Sequence, residues 1–254
     1  VNMDRNSPDF LIEETNQSLA DTKVWLDASA QFGPLVKPII TPRFVPSCTS
    51  ELMTGLAKLA KEYDVPVQSH LSENHGEIDW VASLHPESSN YTDVYYEHHL
   101  MGTVPTVMAH CIHLSDVEMD RMAETQTMVS HCPYSNVNLS SGIAPIRKLI
   151  ERNIPIGLGS DISGGHIVSM AKVLTEAIGL SKMKWAEVDP NYAPLTLSEA
   201  FYMATKGGGQ FFGHVGSFEK GYELDALIID DTSLFDPNER SLEERLERWL
   251  YVGD

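Results

Sequence analysis

Cysteine is scarce in this chain of 254 residues, which holds only Cys48, Cys111 and Cys132. An odd count with no C-x-x-C pair argues against a disulfide framework and a thiolate-rich structural zinc site, and it points to a reducing compartment. Long apolar runs are missing too. None reaches the ~18 residues needed to cross a bilayer, and no secretory signal opens the sequence. The expected location is therefore cytoplasmic. Basic residues are the third shortage: 18 Lys and Arg face 36 Asp and Glu, a formal charge of −18. Polyphosphates and anionic membranes repel such a chain at long range, so neither nucleic acid nor a membrane is an expected partner. There is no low-complexity tract and no internal repeat. With 42% hydrophobic and 21% charged residues, the composition is that of a globular protein.

What is present is an alternation of short apolar runs and helical patterns. Candidate strands are Val36–Arg43, Val65–His70, Thr106–His110, Gln126–His131 and Ile154–Asp161, with Val1–Met3 as the tail of one more. They are too apolar for half-exposed strands and read as parallel strands buried on both faces. Between them lie helix signals. Ser115 with Glu118, Thr196 with Glu199 and Ser241 with Glu244 have capping-box spacing, and Leu114 and Met119 are placed as a hydrophobic staple. Leu52, Leu56, Leu59 and Tyr63 share one helical face, as do Leu242, Leu246 and Leu250. The class is α/β with a parallel sheet, and a length near 250 residues suits a closed β/α barrel. Gly216–Asp230 departs from this rhythm and reads as a hairpin-like extension.

In parallel α/β folds chemistry collects where strands end. Those ends here read Arg43-Phe44, His70 with Glu73, His110, His131 and Asp161. A single histidine there carries little weight. Three histidines and an aspartate at matching positions point to a metal or acid–base site. Imidazole with carboxylate suits a borderline cation such as zinc. Cys111 and Cys132 each follow a strand-end histidine, so alternation turns them away, and they read as buried free thiols. Glu73 has two readings, a proton shuttle beside the metal position or a helix-start carboxylate favoured by the macrodipole. His75, His85, His98, His99 and His113 lie in polar stretches and are expected to face water, and His214, in its glycine-flanked turn, is expected to have no role. His166 follows Gly164-Gly165 and is placed to line a pocket.

Taken in order, TPRF (41–44), SHLSEN (69–74), MAHC (108–111), SHCPYSNVNLSSG (130–142) and IGLGSDISGG (156–165) closely resemble the amidohydrolase superfamily, in its aminohydrolase branch. TPRF paired with SHLSEN narrows the resemblance to purine-type deamination, the five motifs together resemble its guanine-deaminating members, and the resemblance extends over essentially the whole chain. It implies a (β/α)8 TIM barrel, here with strands 3 to 8 only, over residues 1–212. Residues 213–232 would return to a small β-sandwich, and 233–254 would form a C-terminal amphipathic helix. The implied reaction is zinc-dependent hydrolysis of guanine to xanthine and ammonia. His70 and Asp161 would ligate one zinc per subunit, with His110 beside the attacking oxygen. Glu73 and Asp161 would move protons, and Arg43 and Phe44 would bind the purine, with His70, Glu73 and Asp161 also lining its site. His131 would orient its loop or touch substrate. A homodimer is implied as well.

One departure stands out. Family members carry an H-x-H pair that supplies two more zinc ligands, and no H-x-H occurs in these 254 residues. Those two histidines are expected from a segment N-terminal to this sequence. Two alternatives keep the fold. One is another deaminase substrate of adenosyl-type nucleoside, cytosine or triazine character. The other is a non-catalytic scaffold. The zinc deaminases that act on flipped bases are set aside, because His85-Pro86-Glu87 has no C-x-x-C to follow it.

Overall fold

A computed structural model describes residues 1–234 and 236–253; Phe235 and Asp254, both within the expected segment 233–254, lie outside the described residues. In chain order the elements are α1 (Thr15–Ser29), α2 (Ser50–Tyr63), β1 (Val67–Leu71), α3 (His75–Leu84), α4 (Tyr91–Glu97), β2 (Thr106–His110), α5 (Asp116–Glu124) and β3 (Met128–His131). There follow α6 (Pro133–Asn138), α7 (Ile146–Glu151), β4 (Ile156–Leu158), α8 (Met170–Glu187), α9 (Leu197–Tyr202) and α10 (Leu242–Val252). The strands make one sheet in the order β1-β2-β3-β4. Spatial order following chain order with helices between is what successive right-handed βα units produce. The chain divides into two units, Val1–Val129 with Glu151–Pro155, and Ser130–Ile150 with the residues from Ile156 onward.

In the first unit, the helical face expected around residues 51–63 folds as α2. The Thr49 hydroxyl accepts from the Leu52 amide, and Asp64 closes the helix in the left-handed conformation. Leu52, Met53 and Leu56 are fully buried, each contributing roughly 1.5–3 kcal/mol. Helix α1 lies close against α2 at Gly55, where an added Cβ would meet Leu19 Cδ1 at 2.5 Å. Ser115 and Glu118 form the expected capping box at the start of α5.

β1 and β2 run parallel, in register from Val67 opposite Thr106 to Leu71 opposite His110. Both alternate buried and half-buried positions, so one face is less covered than the uniformly apolar sequence implied. The expected strand Val36–Arg43 is reduced to isolated bridges, Ile40 with Val67 and Asn2 with Pro42. Pro38 and Pro42 lack the amides that a continuous ladder needs. The chain stays extended all the same: the Ile40 amide donates to Pro66 O at 2.9 Å and the Arg43 amide to Asn2 O at 3.0 Å. His85, expected in water, is instead 3% exposed, with Nε2 3.3 Å from Arg5 Nη2.

In the second unit, α8 buries Val173, Leu174 and Ala177, and Lys172 Nζ donates to Tyr251 O on α10 at 3.1 Å. Thr196 and Ser241 cap α9 and α10 through the expected boxes. Only Leu250 of the α10 leucine face is fully buried, whereas Leu242 is exposed. A single π turn, Met203–Gly207, lies on β4; an added Cβ at Gly207 would stand 3.0 Å from Ile156 O. Residues 213–232, expected as strands of a small sandwich, contain no strand among the described residues. A strand needs a neighbour to satisfy its backbone polar groups, and none lies beside this segment among the described residues. Leu224, Leu227 and Ile228 are accordingly exposed.

Candidate active site

Two imidazoles of the first unit, His70 and His110, sit where β1 and β2 end. His70 Nδ1 lies 2.6 Å from Arg43 O. A carbonyl only accepts, so Nδ1 carries the proton and Nε2 keeps the lone pair that a metal ligand requires. The backbone of His70 is held too: Tyr95 Oη donates to His70 O at 2.8 Å and lies 2.7 Å from Ser69 Oγ. Burial pushes the Tyr95 phenol well above its ordinary range, which keeps it a donor.

Strand alternation would put His110 on the face of Met108, opposite to that of His70. The backbone prevents this. His110 takes a φ of 71°, and its ring stacks 5.4 Å from that of His70 at an interplanar angle of 21°. Ser72 and Cys111 also have positive φ, 49° and 53°. Such non-glycine residues cost on the order of 1–3 kcal/mol each and persist where the surroundings hold them. Here the Cys111 amide donates to Leu71 O at 2.9 Å, and the amides of Ile112 and His113 both donate to Ser72 O at 3.1 Å. Glu73 completes the group, its Oε2 3.7 Å from His110 Nε2 and its side chain 18% exposed. At that separation the contact is electrostatic rather than a hydrogen bond.

Arg43 and Phe44 border the same group. The guanidinium lies 5.4 Å from the Phe44 ring centroid, and Phe44 is edge-on to His70 at 6.5 Å and to Trp80 at 6.2 Å. Five residues singled out from the sequence, Arg43, Phe44, His70, Glu73 and His110, are thus brought together in one unit.

Asp161, His131 and His166 belong to the second unit. Asp161 has a φ of 44°, and its carbonyl accepts from the Gly165 amide at 2.6 Å. Gly164 packs closely here: an added Cβ would come within 2.7 Å of Asp161 Oδ2 and 2.6 Å of Ser135 Oγ, so those side chains would have to shift. His131 is 2% exposed, and its carbonyl accepts from the Gly159 amide at 2.9 Å. His166 is exposed, 5.1 Å edge-on from Tyr134. Cys48, Cys111 and Cys132 are buried and in no disulfide among the described residues; burial raises the Cys48 thiol to about 11.

The donor chemistry of His70 suits a metal ion. Among the described residues, however, no group of three or more His, Cys, Asp or Glu side chains is arranged to hold one. Sequence reasoning missed Glu77, Tyr91 and Tyr95, which hold the backbone of this site from below. Asn74-x-x-Glu77 has the same capping-box spacing as Ser115-x-x-Glu118 and was legible; the tyrosines carry no spacing signal.

Parallel βα units with imidazoles and a carboxylate gathered at their strand ends define an α/β protein of barrel type with a chemically equipped rim. The chain belongs to the amidohydrolase family, whose model, described as Amidohydrolase family, matches residues 2–249. It is 46% identical over 262 residues to a guanine deaminase of Dictyostelium discoideum, covering 100% of this chain and 58% of that protein. Among solved structures it is similar to a guanine deaminase from C. acetobutylicum with guanine bound in its active site, with a TM-score of 0.96 and 52% identity. That match covers 100% of this chain and 60% of the other. The fold is also shared with an adenosine deaminase from Xanthomonas campestris with bound zinc, at 22% identity and a TM-score of 0.82, covering 96% of this chain and 54% of that one. The chain therefore spans less than two thirds of the length of these relatives.

Proposed function

We propose that the protein carrying this chain hydrolyses guanine to xanthine and ammonia with the help of zinc. The observation that carries the reading is the single cluster of Arg43, Phe44, His70, Glu73 and His110, in a chain 52% identical to a guanine-bound guanine deaminase. His70, through Nε2, and Asp161 would hold the ion, and the two remaining histidine donors would come from residues outside this sequence. Zinc, when bound, supplies the Lewis acidity that makes water a nucleophile near neutral pH.

The residues of the chain divide the remaining work. Arg43 hydrogen-bonds the purine and Phe44 packs on its ring. Asp161 takes the proton from the attacking water. Glu73 protonates a ring nitrogen, so that the amino-bearing carbon accepts the new C–O bond; as a carboxylate it then takes the proton of the new hydroxyl and passes it to the amine as the C–N bond breaks and the carbonyl forms, and the proton held by Asp161 returns through solvent to restore Glu73. His110 donates to the oxygen at the tetrahedral centre. The buried free thiols support a cytoplasmic protein. No helix among the described residues is long and apolar enough to cross a membrane. The expected homodimer belongs to this proposal as well.

The test is xanthine and ammonia formation from guanine by the complete, zinc-loaded protein. Stoichiometric appearance of both supports the reading. Zinc bound without turnover of guanine would overturn it in favour of another amine-bearing ring.

A further inference from the structure

The carboxylate of Glu77 does more than cap a helix. In an ordinary capping box the third residue of the helix reaches back to the amide of the capping residue. Here Glu77 Oε2 accepts from the Asn74 amide at 3.4 Å and, more closely, from the Glu73 amide at 2.9 Å. The Glu77 amide donates in turn to Asn74 Oδ1 at 2.9 Å. Its other oxygen, Oε1, accepts from Tyr91 Oη at 2.7 Å, and the same hydroxyl lies 3.4 Å from His70 O. Tyr91 stacks on Tyr95 at 5.6 Å, and Tyr95 makes the shorter bond to that carbonyl, 2.8 Å. Glu77 is 6% exposed and Tyr91 2%, so these bonds form where water does not compete and a lost partner is not replaced.

We propose that Glu77 is a positioning residue, joining the backbone of Glu73 to the stacked Tyr91–Tyr95 pair, whose Tyr95 hydroxyl holds the His70 carbonyl, and fixing where the Glu73 carboxylate stands relative to His110. The proposal rests on the deamination reading only for its kinetic consequence. Glu73 carries protons to and from substrate in that reading, and a displacement of about 1 Å costs on the order of 100-fold in rate. Substrate binding through Arg43 and Phe44 is expected to survive the loss of Glu77.

The experiment uses the complete, zinc-loaded protein and the variants Glu77→Ala, Tyr91→Phe, Glu73→Gln and Glu73→Gln with Glu77→Ala. Glu77→Ala is expected to lower kcat for guanine by roughly 10- to 100-fold with KM within about threefold. In the Glu73→Gln background the same change is expected to cost nothing further, because the group it positions no longer carries the proton. A raised KM with kcat retained, or a full extra loss in the double variant, would overturn the proposal. Tyr91→Phe removes a single hydroxyl and keeps the test decisive if Glu77→Ala does not fold: kcat falls several-fold at unchanged KM, and an unchanged kcat overturns it. Amide hydrogen exchange gives a readout independent of turnover. Glu77→Ala speeds exchange at Glu73 at least about tenfold while β2 amides keep their wild-type rates, and equal rates at Glu73 refute the positioning. If the unaltered protein does not deaminate guanine, the deamination reading fails while the exchange measurement still decides the role of Glu77.

Discussion

At the scale of single residues, the site depends on a conformation that side-chain chemistry alone does not announce. Alternation places His110 away from His70, and a φ of 71° brings the two rings together. Glu73 stands 3.7 Å from His110, which makes it the group to test first. Glu73→Gln is expected to lower kcat by about 10²- to 10⁴-fold, the usual worth of a positioned general acid or base. Zinc content measured by mass spectrometry should stay unchanged, and turnover within tenfold of the unaltered protein would remove Glu73 from its role. Arg43→Ala should cost guanine roughly 10- to 100-fold in kcat/KM, corresponding to about 1–3 kcal/mol for lost hydrogen bonds to substrate. Indifference to that change would favour a different ring as substrate. The histidines, Glu73 and Arg43 were legible from the sequence because ionisable residues at the ends of apolar strands stand out. Tyr91 and Tyr95 were not, because a buried tyrosine aimed at a carbonyl looks like any aromatic on a helix.

At the scale of elements, local signals carried far. The Ser115, Thr196 and Ser241 capping boxes all form, because each is satisfied by atoms within one helical turn. Strand Thr106–His110 has its expected bounds. Elements that depend on neighbours fared differently. Pro38 and Pro42 interrupt the run at 36–43, and 213–232 lacks a neighbouring strand among the described residues. One long-range device was invisible beforehand: Arg147 makes two bonds to Glu199, 2.6 and 2.9 Å, next to the Thr196 box. Those bonds hold the Glu199 carboxyl down at about 2, against about 4.3 in an unfolded chain. A depressed carboxyl stabilises the fold above its unfolded value, and that contribution disappears as pH falls from about 4.3 toward 2. With Glu199 31% exposed, solvent screening leaves at most about 1 kcal/mol. Arg147→Ala should therefore lower the urea midpoint at pH 7, with the gap to the unaltered protein narrowing between pH 5 and pH 3. A gap independent of pH would mean that Arg147 acts by packing alone.

At the scale of the whole molecule, the parallel sheet and its equipped rim belong to a chain that covers 54% to 60% of the length of the relatives described above. Among the described residues no three-donor metal group is present. If two zinc donors lie outside this sequence, as proposed, the 254-residue chain, loaded with zinc and dialysed, is expected to retain well under one equivalent. Stoichiometric retention would show that its own donors suffice and would overturn the proposal that two histidines come from elsewhere.

The acidic charge, the α/β class, the helix caps and the chemistry waiting at the strand ends were determined by the sequence itself. Each depends on composition or on spacing within a few residues, where the physics is local. The tertiary structure decided which of those groups meet. Stacking His110 on His70 and seating Glu73 beside His110 require a left-handed turn and contacts between segments far apart in the chain. Such contacts exist only once β1 and β2 lie side by side in register, and no window of sequence contains both.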